Sequence, residues 1–207
     1  SYVISFGGCN MRCGFCANRE GVEFPDRGRP LDVEFLRSRI MEAARRGAAT
    51  VNLMGGEPTC SLFAVARLFD GFDCPLPVIW NSNFYFSPEV AEVIKALADI
   101  FLADLKFGNQ ECATRLASAP RYLETVHANL LAVAPGSDLI LRHLVMPGHF
   151  DCCTAPVLDW TSRNLPGVEV SLLETYFPPA GSDDGELKRP IRAEEIRRAR
   201  EYALERG

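Results

Sequence analysis

The chain has 207 residues, a formal net charge of −5, 47% hydrophobic residues and 24% charged residues. This length and composition are typical of a globular protein with a sizeable core, and we expect residues 1–207 to form one domain. The negative charge argues against a general nucleic-acid surface. No run approaches the roughly 20 apolar residues that span a membrane, and we find no charged-then-apolar leader. The sequence therefore predicts a cytoplasmic protein without nucleic-acid or membrane partners.

Six short apolar runs rich in β-branched residues alternate with helical patterns along the chain. They predict strands over residues 2–6, 50–54, 77–81, 100–106, 139–146 and 168–173. Strict alternation indicates parallel strands joined by right-handed crossovers. Because eight such units close a barrel, six units predict an α/β fold with a partial (β/α)6 barrel, similar to a TIM barrel. A doubly wound sheet is the alternative, and in both folds functional groups lie at the carboxyl ends of the strands.

Four helices are predicted from capping residues, early prolines or acids in the first turn. They begin at Asp32, at the Ser-Pro-Glu run of residues 87–89, at Thr154 and near Glu194. The basic run of residues 197–200 lies on the last helix and is interpreted as a solvated face. Residues 174–192 are rich in proline and acid, which predicts a loop.

Three of the eight cysteines are crowded near the start of the chain. Cys9, Cys13 and Cys16 lie within eight residues, directly after the first predicted strand. In a chain of this size without a signal peptide, such tight spacing is more typical of metal ligands than of disulfides. A zinc site, or an electron-carrying cluster with a fourth protein ligand, is the alternative. A closed zinc site would normally show a second Cys or His pair at recognisable spacing, and the next cysteine is Cys60.

Polar or glycine-rich runs follow the other strands. Side chains two residues apart on a strand point the same way, so polar pairs at neighbouring strand ends predict one polar pocket. The alternative is that strand ends are polar only because they are wet. The groups concerned are the Gly-Gly-Glu-Pro run at residues 55–58, the pair Asn81 and Asn83, the pair Asp104 and Lys106, and Arg142.

The Cys-x3-Cys-x2-Cys motif, with Phe15 before its third cysteine, and the Gly-Gly-Glu-Pro run together resemble the radical S-adenosylmethionine (SAM) superfamily. The runs "NLMGGEPT", "WNSNFYFSPE", "DLKFGNQECATRL" and "RHLVMPGHFDCCT" resemble, more narrowly, the branch related to the pyruvate formate-lyase activating enzyme. The resemblance extends over essentially the whole chain.

This resemblance implies two cofactors. Cys9, Cys13 and Cys16 would hold three irons of a [4Fe–4S] cluster, and SAM would chelate the fourth iron through its amino and carboxylate groups. One electron from the reduced cluster would cleave the sulfonium to methionine and a 5′-deoxyadenosyl radical that abstracts a hydrogen atom. The implied SAM contacts are Gly55, Gly56, Glu57 and Pro58 at the methionine amino group, Phe15 near the adenine, and Asn81, Asn83, Lys106 and Arg142 at the ribose or carboxylate.

The resemblance also implies partners. Cleavage requires an external one-electron donor such as flavodoxin or ferredoxin, and the substrate is an unidentified small molecule, peptide or protein. Activation of a glycyl-radical enzyme is the reaction of the nearest relatives, and modification of a small molecule or peptide is the alternative. An iron–sulfur electron-transfer or scaffold protein without catalysis is an alternative of another class.

The run "HFDCC" at residues 149–153 follows the fifth strand and directly precedes a predicted helix. A helix N-terminus lowers the pKa of a thiol. The sequence therefore predicts Cys152, Cys153 and His149 as candidate catalytic residues at the mouth of the pocket, with simple packing as the alternative for the two cysteines. Spacing does not support an auxiliary cluster built from Cys60, Cys152 and Cys153.

The remaining histidines and cysteines are interpreted as structural. His127 lies in the middle of a helical pattern, and His143 alternates with Arg142, so it is expected to face the surrounding helices. Cys74 and Cys112 are interpreted as ordinary buried or loop thiols. Tyr176, after the sixth strand, is expected to face the pocket.

Overall fold

The computed structural model of the chain describes residues 1–178 and 185–206. Six parallel strands form one open sheet in sequence order. Each predicted strand coincides with an observed one to within two residues at either end. Sequential order places every crossover in the same direction, whereas a doubly wound sheet reverses its order, so the partial-barrel prediction is confirmed. The strands are Tyr2–Phe6 (β1), Val51–Gly55 (β2), Val78–Ser82 (β3), Ile100–Asp104 (β4), Asp138–Leu144 (β5) and Glu169–Leu173 (β6).

Helices follow the strands along the chain. Among the described residues, none of them has the length and apolar character needed to cross a membrane. A π-helical turn, Phe150–Thr154, lies between β5 and the helix after it. The α-helices of the described residues are Arg19–Glu23 (α1), Val33–Arg45 (α2), Leu62–Phe69 (α3), Glu89–Leu97 (α4), Gln110–Ala117 (α5), Tyr122–Val133 (α6), Ala155–Asn164 (α7) and Ala193–Leu204 (α8).

The predicted helix starts agree with the structure to within about one residue, the usual uncertainty of a helix boundary. Asp32 caps α2, since its side chain accepts a hydrogen bond from the Phe35 amide at 3.0 Å. The helix α4 begins at Glu89, one residue later than predicted, and α8 begins at Ala193, one residue earlier than predicted. Thr154 directly precedes α7 but makes no capping bond with its side chain.

The predicted loop at residues 174–192 contains a short 3-10 turn, Glu186–Lys188. Its residues 179–184 lie outside the described residues. Tyr176 is buried and its hydroxyl donates to the Leu187 carbonyl at 2.9 Å. This side chain therefore belongs to the core, where burial raises its pKa.

The basic run on α8 makes specific contacts with the body of the protein. Arg198 pairs with Asp151 at 2.6 Å, and its guanidinium lies 3.7 Å from the centre of the Phe150 ring. Arg200 pairs with Glu174 at 2.5 Å. These arginines remain largely exposed, as predicted, and they also attach the last helix to the segments that follow β5 and β6.

The two faces of the sheet differ, and this difference positions the site. On β5, Leu141 and His143 are fully buried, whereas Arg142 between them is only partly buried. His143 Nδ1 donates to the Leu105 carbonyl at 2.8 Å, and His143 Nε2 lies 3.0 Å from the Thr154 hydroxyl. Burial lowers the pKa of His143 to about 4, so the ring is neutral. The expectation that His143 and Arg142 occupy opposite faces is confirmed.

Candidate functional site

A cavity of about 160 Å³ lies where the strands end. A neighbouring cavity of about 190 Å³ shares the three cysteines of the motif with it. The carboxyl ends of parallel strands meet at one edge of a sheet, which is why residues far apart in sequence converge here. The predicted residues that line the first cavity are Cys9, Cys13, Cys16, Gly55, Gly56, Glu57, Asn81, Asn83, Lys106 and Arg142.

The cysteine loop is fixed to the end of α5. The Arg12 amide donates to the Ala117 carbonyl at 2.9 Å, and the Gly14 amide donates to the Leu116 carbonyl at 2.8 Å. The last carbonyls of a helix have no partner within the helix, so they are available to a neighbouring segment. Met11 is 1% exposed and anchors the middle of the loop in the core. The loop that carries the three thiols is therefore held by backbone bonds.

The thiols of the loop are half-buried. Burial raises the pKa of Cys9, and it raises the pKa of Cys13 to about 12, partly opposed by Lys106. Buried thiols of this kind lose their proton when they bind a metal. No fourth cysteine, and no histidine, is among the described residues that line the cavity. This donor set fits a [4Fe–4S] cluster that leaves one iron without a protein ligand.

The Gly-Gly turn after β2 touches the chain that leads into the cysteine loop. The Gly56 amide donates to the Phe6 carbonyl at 2.7 Å, and the Glu57 amide donates to the Gly8 carbonyl at 2.8 Å. A Cβ atom on Gly56 would lie 1.7 Å from the Gly8 oxygen. Only glycine permits this approach of two backbones, so the turn and the loop form one unit.

Glu57 fixes the same turn to the end of β3. Its Oε1 accepts from the Thr59 amide at 3.1 Å, the Thr59 hydroxyl at 2.6 Å and the Ser82 hydroxyl at 2.8 Å. Its Oε2 accepts from the Asn83 amide at 2.8 Å. Burial raises the pKa of Glu57, and these donors oppose the rise. Because both oxygens already have protein donors, the backbone of the turn is the part best placed to meet a ligand.

The two cations of the cavity share one carboxylate. Arg142 donates from Nε to Asp104 at 2.8 Å and from Nη2 to the Asn81 side chain at 2.5 Å, while Lys106 donates to the other Asp104 oxygen. Burial raises the pKa of Asp104, but Lys106 and Arg142 outweigh this effect and the pKa is lowered overall. The sequence indicated Asp104 only as a polar neighbour of Lys106, and the structure adds it to the site.

Asn83 connects the end of β3 to the cysteine loop. Its Nδ2 donates to the Asn10 side chain at 2.8 Å and lies 3.6 Å from the Cys9 sulfur. A hydrogen bond to a ligating sulfur tunes an iron–sulfur cluster, so this contact suits a residue beside one.

Two of the predicted SAM contacts are buried and do not line the cavity. Phe15 is 8% exposed and packs edge-on against Phe107, with ring centres 5.9 Å apart. Pro58 is buried at the start of the short turn Pro58–Ser61. Neither residue lines the cavity, and their predicted contacts with SAM stay predictions.

The candidate catalytic residues Cys152, Cys153 and His149 do not line this cavity. They form a separate group with Cys112 of α5, in which the four ligand atoms all lie within 4.8 Å of one another. Cys112 is buried, as expected, and it also lies within reach of three other potential metal ligands. Cys60 is exposed and lies outside the group.

The predicted lowering of a thiol pKa at "HFDCC" is wrong. Burial raises the pKa of both Cys152 and Cys153. The physical reason is that a π-helical turn precedes α7, so the two cysteines lie in a buried turn instead of at an open helix end. Burial also lowers the pKa of His149, which favours the neutral ring.

The remaining candidates of the sequence are structural. His127 stacks on Trp160, with ring centres 3.8 Å apart, and burial lowers its pKa to about 4. The Cys74 thiol donates to the Leu76 carbonyl at 3.2 Å. Tyr176 does not line the cavity, contrary to expectation.

Comparison with known proteins identifies a relative by sequence. An uncharacterised protein of Methanocaldococcus jannaschii is 34% identical over 210 residues, which cover 98% of this chain and 62% of that protein. The chain thus spans less than two thirds of that relative.

Solved structures show the same fold. Streptococcus suis SuiB bound to S-adenosylmethionine has a TM-score of 0.69 at 15% identity, over 99% of this chain and 46% of that one. SuiB has also been solved bound to the precursor peptide SuiA, with a TM-score of 0.67 at 16% identity, over 99% of this chain and 45% of that one. A domain of pyruvate-formate lyase-activating enzyme from Bacteroides vulgatus has a TM-score of 0.59 at 15% identity, over 77% of this chain and 96% of that one.

The family model of the Radical SAM superfamily matches residues 3–161, which include the cysteine loop and all the strand ends of the cavity. This match covers most of the chain. The protein therefore belongs to the radical SAM superfamily, whose members use a [4Fe–4S] cluster and S-adenosylmethionine.

Proposed function

We propose that the chain is the core of an enzyme that cleaves SAM reductively at a [4Fe–4S] cluster held by Cys9, Cys13 and Cys16. Held by these three thiols, a reduced cluster would supply the electron for cleavage of SAM, and this cleavage would provide hydrogen-atom abstraction from the substrate. The observation that carries the proposal is that three half-buried thiols, a glycine turn and two cations line one cavity.

The chain's own residues bind and orient the ligand. Carbonyl groups of the turn at residues 55–57 accept hydrogen bonds from an ammonium group. Lys106 and Arg142 together carry one positive charge more than Asp104 neutralises. Lysine has three donors and arginine five, so both keep donors for a carboxylate or ribose oxygen while bound to Asp104. The shared carboxylate holds both cations in place before the ligand arrives, which reduces the entropy lost on binding.

The substrate we propose first is a glycyl-radical enzyme, with this chain as its activase. The runs "NLMGGEPT" and "RHLVMPGHFDCCT" and the fold shared with an activating-enzyme domain support this choice. Modification of a small molecule or peptide is the second candidate, favoured by the fold shared with SuiB, which binds a precursor peptide. In both cases cleavage consumes an electron, so we propose flavodoxin or ferredoxin as the donor.

Anaerobic reconstitution tests the cluster and its chemistry together. Wild-type protein is expected to bind about four irons and four sulfides per chain and, once reduced with dithionite, to convert SAM to 5′-deoxyadenosine. The Cys13→Ala variant is expected to lose both the iron–sulfur absorbance and the cleavage. Cys74→Ala is the matched control, because Cys74 is also half-buried but lies outside the cavity. Intact iron content in Cys13→Ala contradicts the proposal, and an iron–sulfur cluster without SAM cleavage favours an electron-transfer or scaffold protein.

A second experiment separates the two substrates. The reduced protein is incubated with SAM and a candidate glycyl-radical enzyme, and electron paramagnetic resonance is recorded. A glycyl radical on the partner supports the activase role. Formation of 5′-deoxyadenosine without that radical, together with a mass change in a small molecule or peptide, supports the second candidate.

A further inference from the structure

The cluster of Cys112, His149, Cys152 and Cys153 has no part in the site described above. Its members come from two segments, the first turn of α5 and the turn that follows β5. The Cys112 sulfur lies 3.8 Å from His149 Nδ1 and 3.9 Å from the Cys152 sulfur. The Cys152 sulfur lies 3.2 Å from His149 Nδ1 and 3.9 Å from the Cys153 sulfur.

These distances match the edges of a metal tetrahedron. Zinc–sulfur bonds of about 2.3 Å and zinc–nitrogen bonds of about 2.0 Å place two sulfurs about 3.8 Å apart, and a sulfur and a nitrogen about 3.5 Å apart. The four separations given above agree to within a few tenths of an ångström, and the other two pairs of ligand atoms lie within 4.8 Å of each other. The four protein ligands of an iron–sulfur cluster are distributed over two or four irons, which spreads the whole set further apart than one tetrahedron allows. The geometry therefore fits a single ion.

Three of the four ligands are buried. Cys153 is 0% exposed, His149 5% and Cys112 6%, and Cys152 is partly exposed. The sulfurs are too far apart for a disulfide, which requires about 2.05 Å. Three thiols and an imidazole, gathered from α5 and from the turn after β5, are a donor set that zinc prefers.

Neighbouring residues support the ligands. Asn109, the N-cap of α5, accepts from the Cys112 amide at 2.7 Å. Its Nδ2 donates to the Cys152 carbonyl at 2.6 Å and lies 3.3 Å from the Cys112 sulfur. A Cβ atom on Gly108 would lie 2.6 Å from the Cys153 carbonyl oxygen, so the backbone before α5 presses directly against the cluster. One amide thus orients ligands from both segments, as outer-shell groups of metal sites do.

We propose that Cys112, His149, Cys152 and Cys153 bind one zinc ion in a closed site that is separate from the radical centre. Four protein ligands leave no open position, so the ion is structural and does not take part in the reaction. It joins α5 to the β5–α7 connection. The other end of α5 holds the cysteine loop, so the ion also stabilises the support of that loop.

Metal analysis of the full chain tests the site. The protein is first reconstituted with iron and sulfide so that Cys9, Cys13 and Cys16 are occupied, and it is then incubated with zinc and passed through a desalting column with EDTA. We expect about one zinc ion per chain, the stoichiometry of one tetrahedral site. Cys152→Ser, which replaces the most accessible ligand, is expected to lose the zinc, and Cys74→Ser is the matched control that keeps it.

If a serine variant fails to fold, two further experiments still test the site: cobalt(II) substitution and the exchange of one ligand for another. Cobalt(II) in place of zinc is expected to give the strong visible bands and sulfur-to-cobalt charge transfer of a tetrahedral thiolate site. His149→Cys is expected to keep the ion with a shifted cobalt spectrum. Folded wild-type protein without bound zinc, or zinc retained in a folded Cys152→Ser protein, overturns the proposal.

The outcome is independent of the radical chemistry. Cys13→Ala is expected to lose SAM cleavage while it keeps the zinc. Absence of bound zinc in wild-type protein would not contradict the proposed SAM cleavage, and absence of SAM cleavage would not contradict the proposed zinc site.

Discussion

Asp104 determines how the two cations of the cavity are presented. It lies directly opposite Arg142 in the register of β4 and β5, and Lys106 follows two residues later. Each of its oxygens carries one of the cations, and Asn81 takes a further donor of Arg142. A carboxylate thus lies between two groups that the family resemblance assigned to a ligand. The alternation of side chains along the strands predicted correctly that the two cations face the cavity. Only the structure shows that both are paired with Asp104.

Removal of this carboxylate should destabilise the fold. In Asp104→Asn, Lys106 and Arg142 lose the charge that offsets their burial, and we expect a loss of about 3 kcal/mol in the free energy of unfolding. Urea unfolding measures it. Asp26→Asn, which alters an exposed acid in the turn Pro25–Arg27, is the control and should change stability little. Equal stability of the two variants would show that the pairing contributes nothing.

The Asp104 carboxylate also makes the stability of the folded protein depend on pH. The pKa of Asp104 is lowered in the folded protein, so its contribution is present at neutral pH and is lost as the pH falls through the folded pKa. The loss should begin near the ordinary aspartate value of about 3.9 and continue down to the lowered folded pKa. Between pH 5 and pH 3 or so, iron-free wild-type protein should lose more stability than Asp104→Asn. Parallel curves for the two proteins would contradict the assignment.

The cations themselves should govern SAM affinity. Lys106→Met and Arg142→Leu are each expected to keep the iron–sulfur absorbance and to bind SAM about ten- to a hundredfold more weakly, because a charge-assisted contact contributes roughly 1.5–3 kcal/mol. Anaerobic titration calorimetry measures the affinity. Lys95→Met on α4, which is not part of the cavity lining, is the control. Unchanged affinity in both cavity variants would mean that the ligand lies on another part of the wall.

At the scale of elements, the cysteine loop is held between two supports. The turn after β2 contacts the chain before Cys9, and the end of α5 contacts the chain before Cys13 and Cys16. Both contacts are made by backbone groups, so side-chain substitution at the loop surface should be tolerated better than any change that moves either support.

Gly56→Ala is the substitution that moves the first support. The added Cβ would overlap the Gly8 oxygen, and the turn would have to separate from β1. We expect a loss of roughly 3 kcal/mol in stability, together with poor cluster loading. Thermal unfolding and iron content measure the two effects. Gly185→Ala is the control, since a Cβ there meets nothing within 4 Å. A Gly56→Ala protein that binds iron normally would show that the two segments can separate without cost to the site.

Local patterns predicted the elements well because their causes are local. The apolar runs of β1–β6 and the cap at Asp32 depend on neighbours within a few residues, and the strand ends then place the first cavity correctly. The second cluster could not be predicted in this way. Cys112 and Cys152 are 40 residues apart and meet only when α5 packs against the turn after β5. The same packing buries "HFDCC", which is why the pKa argument from a helix end was wrong.

At the scale of the whole molecule, α5 links the two clusters of thiols. It has eight residues, which corresponds to a length of about 12 Å. Cys112 and its cap Asn109 contact the second cluster at one end, and the carbonyls of Leu116 and Ala117 hold the cysteine loop at the other. A helix this short has little stability of its own, so its order depends on what holds its ends.

Zinc removal should therefore loosen the cysteine loop from a distance, a prediction that rests on the proposed zinc site. In iron-free protein, the amides of Arg12 and Gly14 donate to the end of α5, and their hydrogen exchange reports how often that contact opens. We expect exchange at these two amides and along α5 to be at least about tenfold faster without zinc, equivalent to about 1.4 kcal/mol, while Leu53 in the centre of the β2 ladder is unaffected. Cys112→Ser should show the faster exchange with or without added zinc. Equal exchange at Arg12 and Gly14 in zinc-loaded and zinc-free wild-type protein would mean that α5 is ordered by packing alone and that the two clusters are structurally independent.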